Sequence, residues 1–372
     1  MTNVTPICFY LPQFHTTAFN DENWGAGFTE WTNVARGTPR YPGHAQPRIP
    51  GELGFYDLRH RPVFAEQIAL AQAYGIYGFC FYYYRFGEQR ELDMPVRSLL
   101  SSPHPNLPFC LCWANESWTR AWDGRSDQLI REQTYDEVTL TGLIDDLASA
   151  MADPRYIRVN GRPVFLIYQT EHLPSPVGEW ISEFRARLRE KTAADVMLGG
   201  VYSHGFKPEM AKLLDFVVQF PPHRVPRAQK RALLDPAALN VFEPERGDYF
   251  EAYDAVRDAS LAGLNLIENL VPGICPDWDN SSRRPKNAHV LVGSTPHKFE
   301  GWTQKAVEAS IIRARAGKIP APFLFINAWN EWAEGAVLEP TWAHQRAYLE
   351  AFHRGLVSVQ GEDDKFVEAL SA

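Results

Sequence analysis

The sequence contains no G-x-G-x-x-G and no G-x-x-x-x-G-K-[ST], so the usual glycine-rich turn for a dinucleotide or nucleotide phosphate is missing. It has no surplus of positive charge. Its 37 Lys and Arg against 45 Asp and Glu leave a formal net charge of −8, which argues against nucleic-acid or anionic-membrane partners. No apolar run reaches the length of a membrane span. The opening "MTNVTPICFY" has neither a basic segment nor a long apolar one, so it reads as no signal peptide and the expected compartment is the cytoplasm. Cysteine is scarce and odd in number, five in all, with Cys8, Cys80, Cys110 and Cys112 inside strand-like runs. That pattern favours reduced, buried thiols over a disulfide frame. Cys110 and Cys112 share a strand face, but no further ligands stand close in sequence, so no metal site is expected. There is no internal repeat and no low-complexity tract.

Aromatic residues are abundant: 11 Trp, 15 Tyr and 22 Phe. Many stand in Gly/Asn/Pro-rich stretches such as "NDENWGAGFTEWTNV" and "CWANESWTRAWDG". Core packing explains aromatics on periodic faces, not tryptophans in loops beside Asn, Glu and Arg. Flat rings with adjacent hydrogen-bonding groups suit sugar faces.

Short β-rich runs alternate with helical patterns. Strands are expected at residues 5–10, 76–84, 107–113, 162–168, 196–202, 214–220, 264–270 and 321–327. Helices are expected at 62–74, 136–151, 176–190, 207–213, 248–260, 300–316 and 341–356. Eight mostly apolar strands alternating with helices predict an α/β fold, a single (β/α)₈ TIM-type barrel with long βα loops. Residues 1–357 form the barrel domain in this reading. Residues 358–372 are a polar C-terminal tail, and 221–247 is an excursion after strand 6.

In such a barrel the site forms where strands end, and the unusual loops fall there. Strand 8 runs into "NAWNEWAEG", which holds Glu331 and Glu334 three apart. On a helical turn their Cβ atoms would lie about 5–6 Å apart, a spacing suited to a close carboxylate pair in a retaining glycosidase. Mutual repulsion and nearby indoles would raise one pKa, giving one acid and one base. The same spacing also serves a plain helix N-terminus, but the strand-8 position and the flanking Trp329 and Trp332 favour chemistry. The loop after strand 3 offers Trp113, Asn115, Glu116, Trp118 and Arg120 as sugar contacts. The end of strand 1 and its long loop offer Tyr10, His15, Trp24, Trp31 and His44. Tyr83 is taken from "FYYYRF", where alternation forbids all three tyrosines from facing inward. Asn330 and Trp332 flank the glutamates, and Trp278 lies between Asp277 and Asp279. A D-x-D of that kind can hold a divalent metal against diphosphate, yet it is common by chance, and no metal or other cofactor is expected. "RRPK" at 283–286 reads as a solvated basic face.

The segments "FYLPQFH", "NWGAGFTEWTNV", "YPGHAQPRIPGELGFYDLR", "YGIYGFCFYYYRF", "PFCLCWANESWTRAWDG" and "NAWNEWAEGAVLEP" together resemble the WbsX-type family, from about residue 6 to 350. That family is associated with O-antigen, lipopolysaccharide and other bacterial polysaccharide assembly and is labelled glycosyltransferase. It is similar in turn to glycoside hydrolase family 99, the endo-acting α-mannosidases, whose strand-8 "N-E-W-x-E-G" motif falls here on residues 330–335. The resemblance implies that Glu331 deprotonates a sugar 2-hydroxyl, whose oxygen displaces the leaving group to form a 1,2-anhydro sugar. Glu334 protonates the leaving oxygen and later activates water. An α-manno configuration, as in D-mannose or L-rhamnose, meets the geometric demand. The first strand departs from family 99, with "FYLPQFH" in place of a Tyr-Pro-Trp-Tyr type run.

The expected function is therefore that of a carbohydrate-active enzyme making or breaking α-manno-type glycosidic bonds in surface-polysaccharide metabolism. Its substrate would be an oligosaccharide or polysaccharide, and its partners other glycan-assembly enzymes. An endo-hydrolase degrading mannan or rhamnan and a non-catalytic glycan-binding barrel are the alternatives.

Overall fold

The computed structural model describes residues 3–120, 125–203, 205–224 and 233–371. Parts of the quoted loop after strand 3 and of the excursion after strand 6 lie outside the described residues. The chain forms a closed parallel barrel. Its strands are β1 (Thr5–Tyr10), β2 (Gly78–Phe86), β3 (Phe109–Trp113), β4 (Arg162–Ile167), β5 (Met197–Tyr202), β6 (Phe216–Gln219), β7 (Leu270–Val271, resuming at Gly273–Ile274) and β8 (Phe323–Ile326). Each pairs in parallel with its neighbour in order, and β8 pairs with β1 to close the ring. Pro272, which has no N–H to give, interrupts β7. The first half of β7 bonds β6, the second half bonds β8, and the Pro272 carbonyl still accepts from Phe325 N at 3.1 Å. A Cβ at Gly273 would stand 1.9 Å from the Gln219 carbonyl oxygen, so only glycine allows this close approach of β6 and β7.

The helices are α1 (Ala18–Trp24) and α2 (Glu30–Ala35) within the first long loop, then α3 (Arg61–Ala73), α4 (Met94–Leu100), α5 (Glu137–Met151), α6 (Val177–Thr192), α7 (Tyr253–Ala262), α8 (Pro296–Arg315) and α9 (Ala347–Ser371). In α5 the residues at helical spacing, Leu140, Leu143, Ile144, Leu147 and Met151, are all buried against the barrel. The Asp136 carboxylate caps the helix by accepting from Thr139 N at 2.8 Å, a bond worth about 1 kcal/mol.

Four expected elements differ. Residues 264–270 are not strand 7. Leu264 and Ile267 are buried while Leu266 is exposed, a period of three that fits the 3₁₀ turn at Gly263–Asn265, and the strand starts at Leu270. The stretch 207–213 is a 3₁₀ turn, Pro208–Leu213. The helix expected from 248 begins at Tyr253, because Tyr249–Ala252 joins a small sheet with Leu233–Leu234 and His289–Val292. The last helix begins at Ala347 and continues to Ser371. The five cysteines are free and buried. Among the described residues no helix is long and apolar enough to cross a membrane.

Candidate active site

The region after β8 is a small hairpin. Asn330–Glu331 pairs antiparallel with Ala336–Val337, and a 3₁₀ turn, Trp332–Glu334, joins them. Gly335 closes the turn at φ +67°, and a Cβ there would meet Asp279 N at 2.8 Å. The expected α-helical turn is thus a tighter one. Side chains at i and i+3 eclipse in a 3₁₀ turn, and Glu331 and Glu334 line the same cavity.

A single guanidinium organises that cavity. Arg283 donates from Nη1 to Glu334 Oε1 at 2.7 Å and from Nη2 to Glu331 Oε2 at 3.3 Å. It also binds Glu30 Oε1 through Nε at 3.0 Å and Nη2 at 2.5 Å. Three carboxylates therefore share one half-buried cation. Full ionisation would leave an excess of negative charge in a low-dielectric site, so protons must be retained. Burial first, then the neighbouring Glu334, pushes the Glu331 carboxyl up to about 8, against the pull of Arg283. Burial also raises Glu30. Below about pH 8 the Glu331–Glu334 pair thus holds a proton, as acid–base chemistry on a pair of carboxyls requires.

The cavity measures about 340 Å³ and opens at the C-terminal end of the barrel. Tyr82, Tyr84 and Tyr168 rise from the strand ends, Trp24 and Trp118 come from the loops, and Glu116 faces them. Glu116 Oε1 accepts from Gln169 Nε2 at 2.6 Å. Trp118 packs against Phe19, Tyr84 and Phe86. The Arg120 guanidinium lies 5.4 Å from the Trp24 ring centroid. Aromatic walls with a few fixed carboxylates form the kind of pocket that receives a ring with an apolar face and a hydroxylated edge.

Of the residues expected here, Glu331, Glu334, Glu116, Trp24 and Trp118 line the cavity, and Arg120 steadies Trp24 from outside it. The others do different work. Strand alternation turns Tyr10, Tyr83 and Trp113 away from the barrel interior. Tyr10 donates to Gln67 at 2.8 Å, Tyr83 donates to Asp146 on α5 at 2.7 Å, and Trp113 stacks on Trp180 of α6. Asn115 holds a loop, donating to the Gln169 carbonyl and accepting from Gln169 N, both at 2.8 Å. His15 is buried, and that burial lowers it to about 4. His44 is a brace, with Nε2 at 2.8 Å from Asp279 Oδ2. Trp31 packs edge-on to Tyr56 and against Trp332. Trp278 is buried against His223. Asn330 pins the hairpin to the end of β1, accepting from Leu11 N at 2.8 Å and donating to the Leu11 carbonyl at 3.0 Å. Trp332 donates to Glu339 at 2.6 Å.

The D-x-D pair is engaged by protein groups. Asp277 pairs with Arg48 at 2.6 Å, and Asp279 accepts from Gln46 as well as meeting His44. Burial alone would raise Asp279, but His44 and Arg48 hold it well below the usual carboxylate range. Among the described residues no group of three or more His, Cys, Asp and Glu is placed to hold a metal ion.

Sequence reading missed Tyr82, Tyr84, Tyr168, His223, Glu30 and above all Arg283. For the tyrosines a signal existed: alternation puts Tyr82 and Tyr84 on one face and Tyr83 on the other. For Arg283 there was none, because its exposed neighbours Arg284 and Lys286 give the run a surface character.

The Glycosyltransferase WbsX family model matches residues 6–352. Two curated relatives, each described as uncharacterized protein WxcX, come from Xanthomonas campestris pv. campestris. The one from strain B100 is 39% identical over 355 residues, covering 95% of this chain and 49% of its own length. The one from strain ATCC 33913 is 38% identical with the same coverage. The chain thus spans about half the length of the curated relatives it matches. Among solved structures, a glycoside hydrolase-like protein superposes with a TM-score of 0.58 at 14% identity, covering 96% of this chain and 94% of that one. The GH99 endo-alpha-mannosidase from Bacteroides thetaiotaomicron superposes with a TM-score of 0.56 at 16% identity, with full coverage of both. These likenesses bear on fold alone, a (β/α)₈ barrel. By its family match and its curated relatives, the chain belongs to the family described as Glycosyltransferase WbsX.

Proposed function

We propose that this barrel makes or breaks glycosidic bonds of α-manno-configured sugars, mannose or rhamnose, in bacterial surface-polysaccharide metabolism. The observation that carries the reading is the Glu331–Glu334 pair, bridged by Arg283 and lining an aromatic-walled cavity, where burial raises Glu331.

In the first step Glu331 removes the proton from the sugar 2-hydroxyl. The freed electron pair on O2 forms a bond to C1 as the bond from C1 to the leaving oxygen breaks. Glu334 gives its proton to that oxygen. In the second step Glu334 takes a proton from water or an acceptor hydroxyl, whose oxygen attacks C1. The C1–O2 bond opens, and O2 recovers the proton held by Glu331. Two displacements at C1 give net retention. A carboxylate that burial has made more basic is the better match for a weakly acidic hydroxyl. The reactive form needs the pair's proton on Glu334, so binding must move it there from Glu331. Both carboxyls contact the one guanidinium of Arg283, which links the two placements. Arg283 is then more than a brace, because it offsets the negative charge as that charge passes from Glu331 to O2.

The test is a mass-spectrometric screen of α-mannosyl and α-rhamnosyl oligosaccharides with and without nucleotide sugars. Product only with the nucleotide donor supports transfer, and product without it supports hydrolysis. No product from any combination, with binding retained, supports a glycan-binding module.

A further inference from the structure

Behind the hairpin, on the side away from the cavity, a second buried carboxylate collects donors from three parts of the chain. Glu339 is 2% exposed. Its Oε2 accepts from Trp332 Nε1 at 2.6 Å and from the Tyr56 hydroxyl at 2.9 Å, and its Oε1 accepts from Gln67 Nε2 at 2.6 Å. The connections continue outward. Gln67 on α3 accepts from the Tyr10 hydroxyl of β1 at 2.8 Å, and the Tyr56 hydroxyl accepts from Asn330 Nδ2 at 3.4 Å. The backbone of Glu339 is tied as well, its N–H donating to the Trp329 carbonyl at 3.2 Å. By contrast Glu331's own bond to Arg283 is long, at 3.3 Å. Its two sequence neighbours are the ones held firmly, Asn330 on the backbone of Leu11 and Trp332 on Glu339.

We propose that Glu339 is the positioning residue of this site: it fixes the Trp332 indole and, through Tyr56, Asn330, and so sets the direction and dryness of Glu331 without touching substrate. This rests on the catalytic reading of Glu331 and Glu334 given above. Burial raises the Glu339 carboxyl to about 7 while its donors Trp332, Gln67 and Tyr56 pull it down, and its ionised form alone offers acceptors on both oxygens. A carboxamide of the same shape keeps one acceptor and turns an N–H₂ against donors that have nowhere else to point. A merely packing role for Glu339 would leave Glu331 unaffected by that substitution.

The experiment follows the protonation of Glu331 by infrared difference titration, each protein measured against the same protein carrying Glu331→Gln. Glu339→Gln and Trp332→Phe are the two variants. In both, a loosened hairpin admits water, so the Glu331 midpoint falls toward the ordinary carboxylate range by half a pH unit or more, roughly a threefold loss of proton affinity. The double variant shifts by less than the sum of the two, because both break the same bond. Where turnover is measured on an α-mannosyl or α-rhamnosyl oligosaccharide, kcat falls about 10²-fold while KM stays nearly constant. Should Glu339→Gln not fold, Trp332→Phe decides alone, since it removes one donor and keeps an aromatic ring in place. Folded variants with an unchanged Glu331 midpoint overturn the proposal, even if their thermal stability falls. The titration needs no turnover, so an active Glu331→Gln enzyme would remove the catalytic reading while leaving this result readable.

Discussion

Arg283 is the residue on which the electrostatics of the cavity turn, and replacing it with methionine tests them directly. The substitution keeps an apolar stem of similar length and deletes the cation that, among the described residues, pairs with Glu30, Glu331 and Glu334. The side chain of Glu30 is 0% exposed and that of Glu331 7%, so solvent cannot replace the guanidinium. Removing one partner of a buried ionic group typically costs about 3–5 kcal/mol, which for a domain of this size is a fall in Tm on the order of 10 °C. The loss depends on pH in a definite direction. Arg283 holds Glu30 and Glu331 down against burial, so without it those two rise and the folded variant binds more protons than the folded parent. The stability gap therefore widens as pH rises and narrows as pH falls and the acids take up protons. Calorimetric or fluorimetric melting of both proteins from pH 5 to pH 9 measures it. An equal gap at both ends, or no gap at pH 8, would refute the reasoning.

Further outcomes follow from the same geometry. If turnover needs one proton on the Glu331–Glu334 pair, activity falls as pH rises through about 8, and a pH–rate profile on the accepted glycan checks it. Glu331→Gln should be more stable than the parent at alkaline pH. An acid whose folded pKa is about 8, against an ordinary 4.5, makes the parent progressively less stable between those pH values, by at most about 5 kcal/mol. Melting curves of the two proteins should therefore diverge between pH 5 and 8. Asp279→Ala strips His44 and Gln46 of their partner and should lower Tm, whereas dialysis against a chelator should leave turnover unchanged. Metal-dependent rescue of chelated enzyme would return the D-x-D pair to the chemistry.

The barrel was legible because its strands are buried on both faces and read as continuous apolar runs. Residues 5–10 were read to the residue. Strand 7 was not, because a proline splits it into two short pieces and the apolar run before it belongs to a 3₁₀ turn. The glutamate pair was legible from its place after β8, and family resemblance named its motif. What local sequence cannot show is which aromatic in a loop faces the cavity. Trp113 and Trp278 stand in the same kind of context as Trp118, yet Trp113 and Trp278 are buried against protein and Trp118 lines the cavity. Arg283 and Glu339 matter through partners far away in sequence: Glu30 lies 253 residues from Arg283, and Gln67 lies 272 from Glu339. Groups so distant in sequence meet only once the barrel has closed.

The most direct measurement compares wild type, Glu331→Gln and Glu334→Gln on one α-mannosyl or α-rhamnosyl substrate made with both an ordinary and a highly acidic leaving group. Each substitution should cut turnover of the ordinary substrate by about 10²–10⁴-fold without loss of binding. The acidic leaving group, which needs little protonation, should partly restore the first step in Glu334→Gln and leave Glu331→Gln inactive, because the 2-oxygen still lacks its base. Near-wild-type turnover in either variant would contradict the account and leave the hairpin as a structural turn beneath a glycan-binding surface.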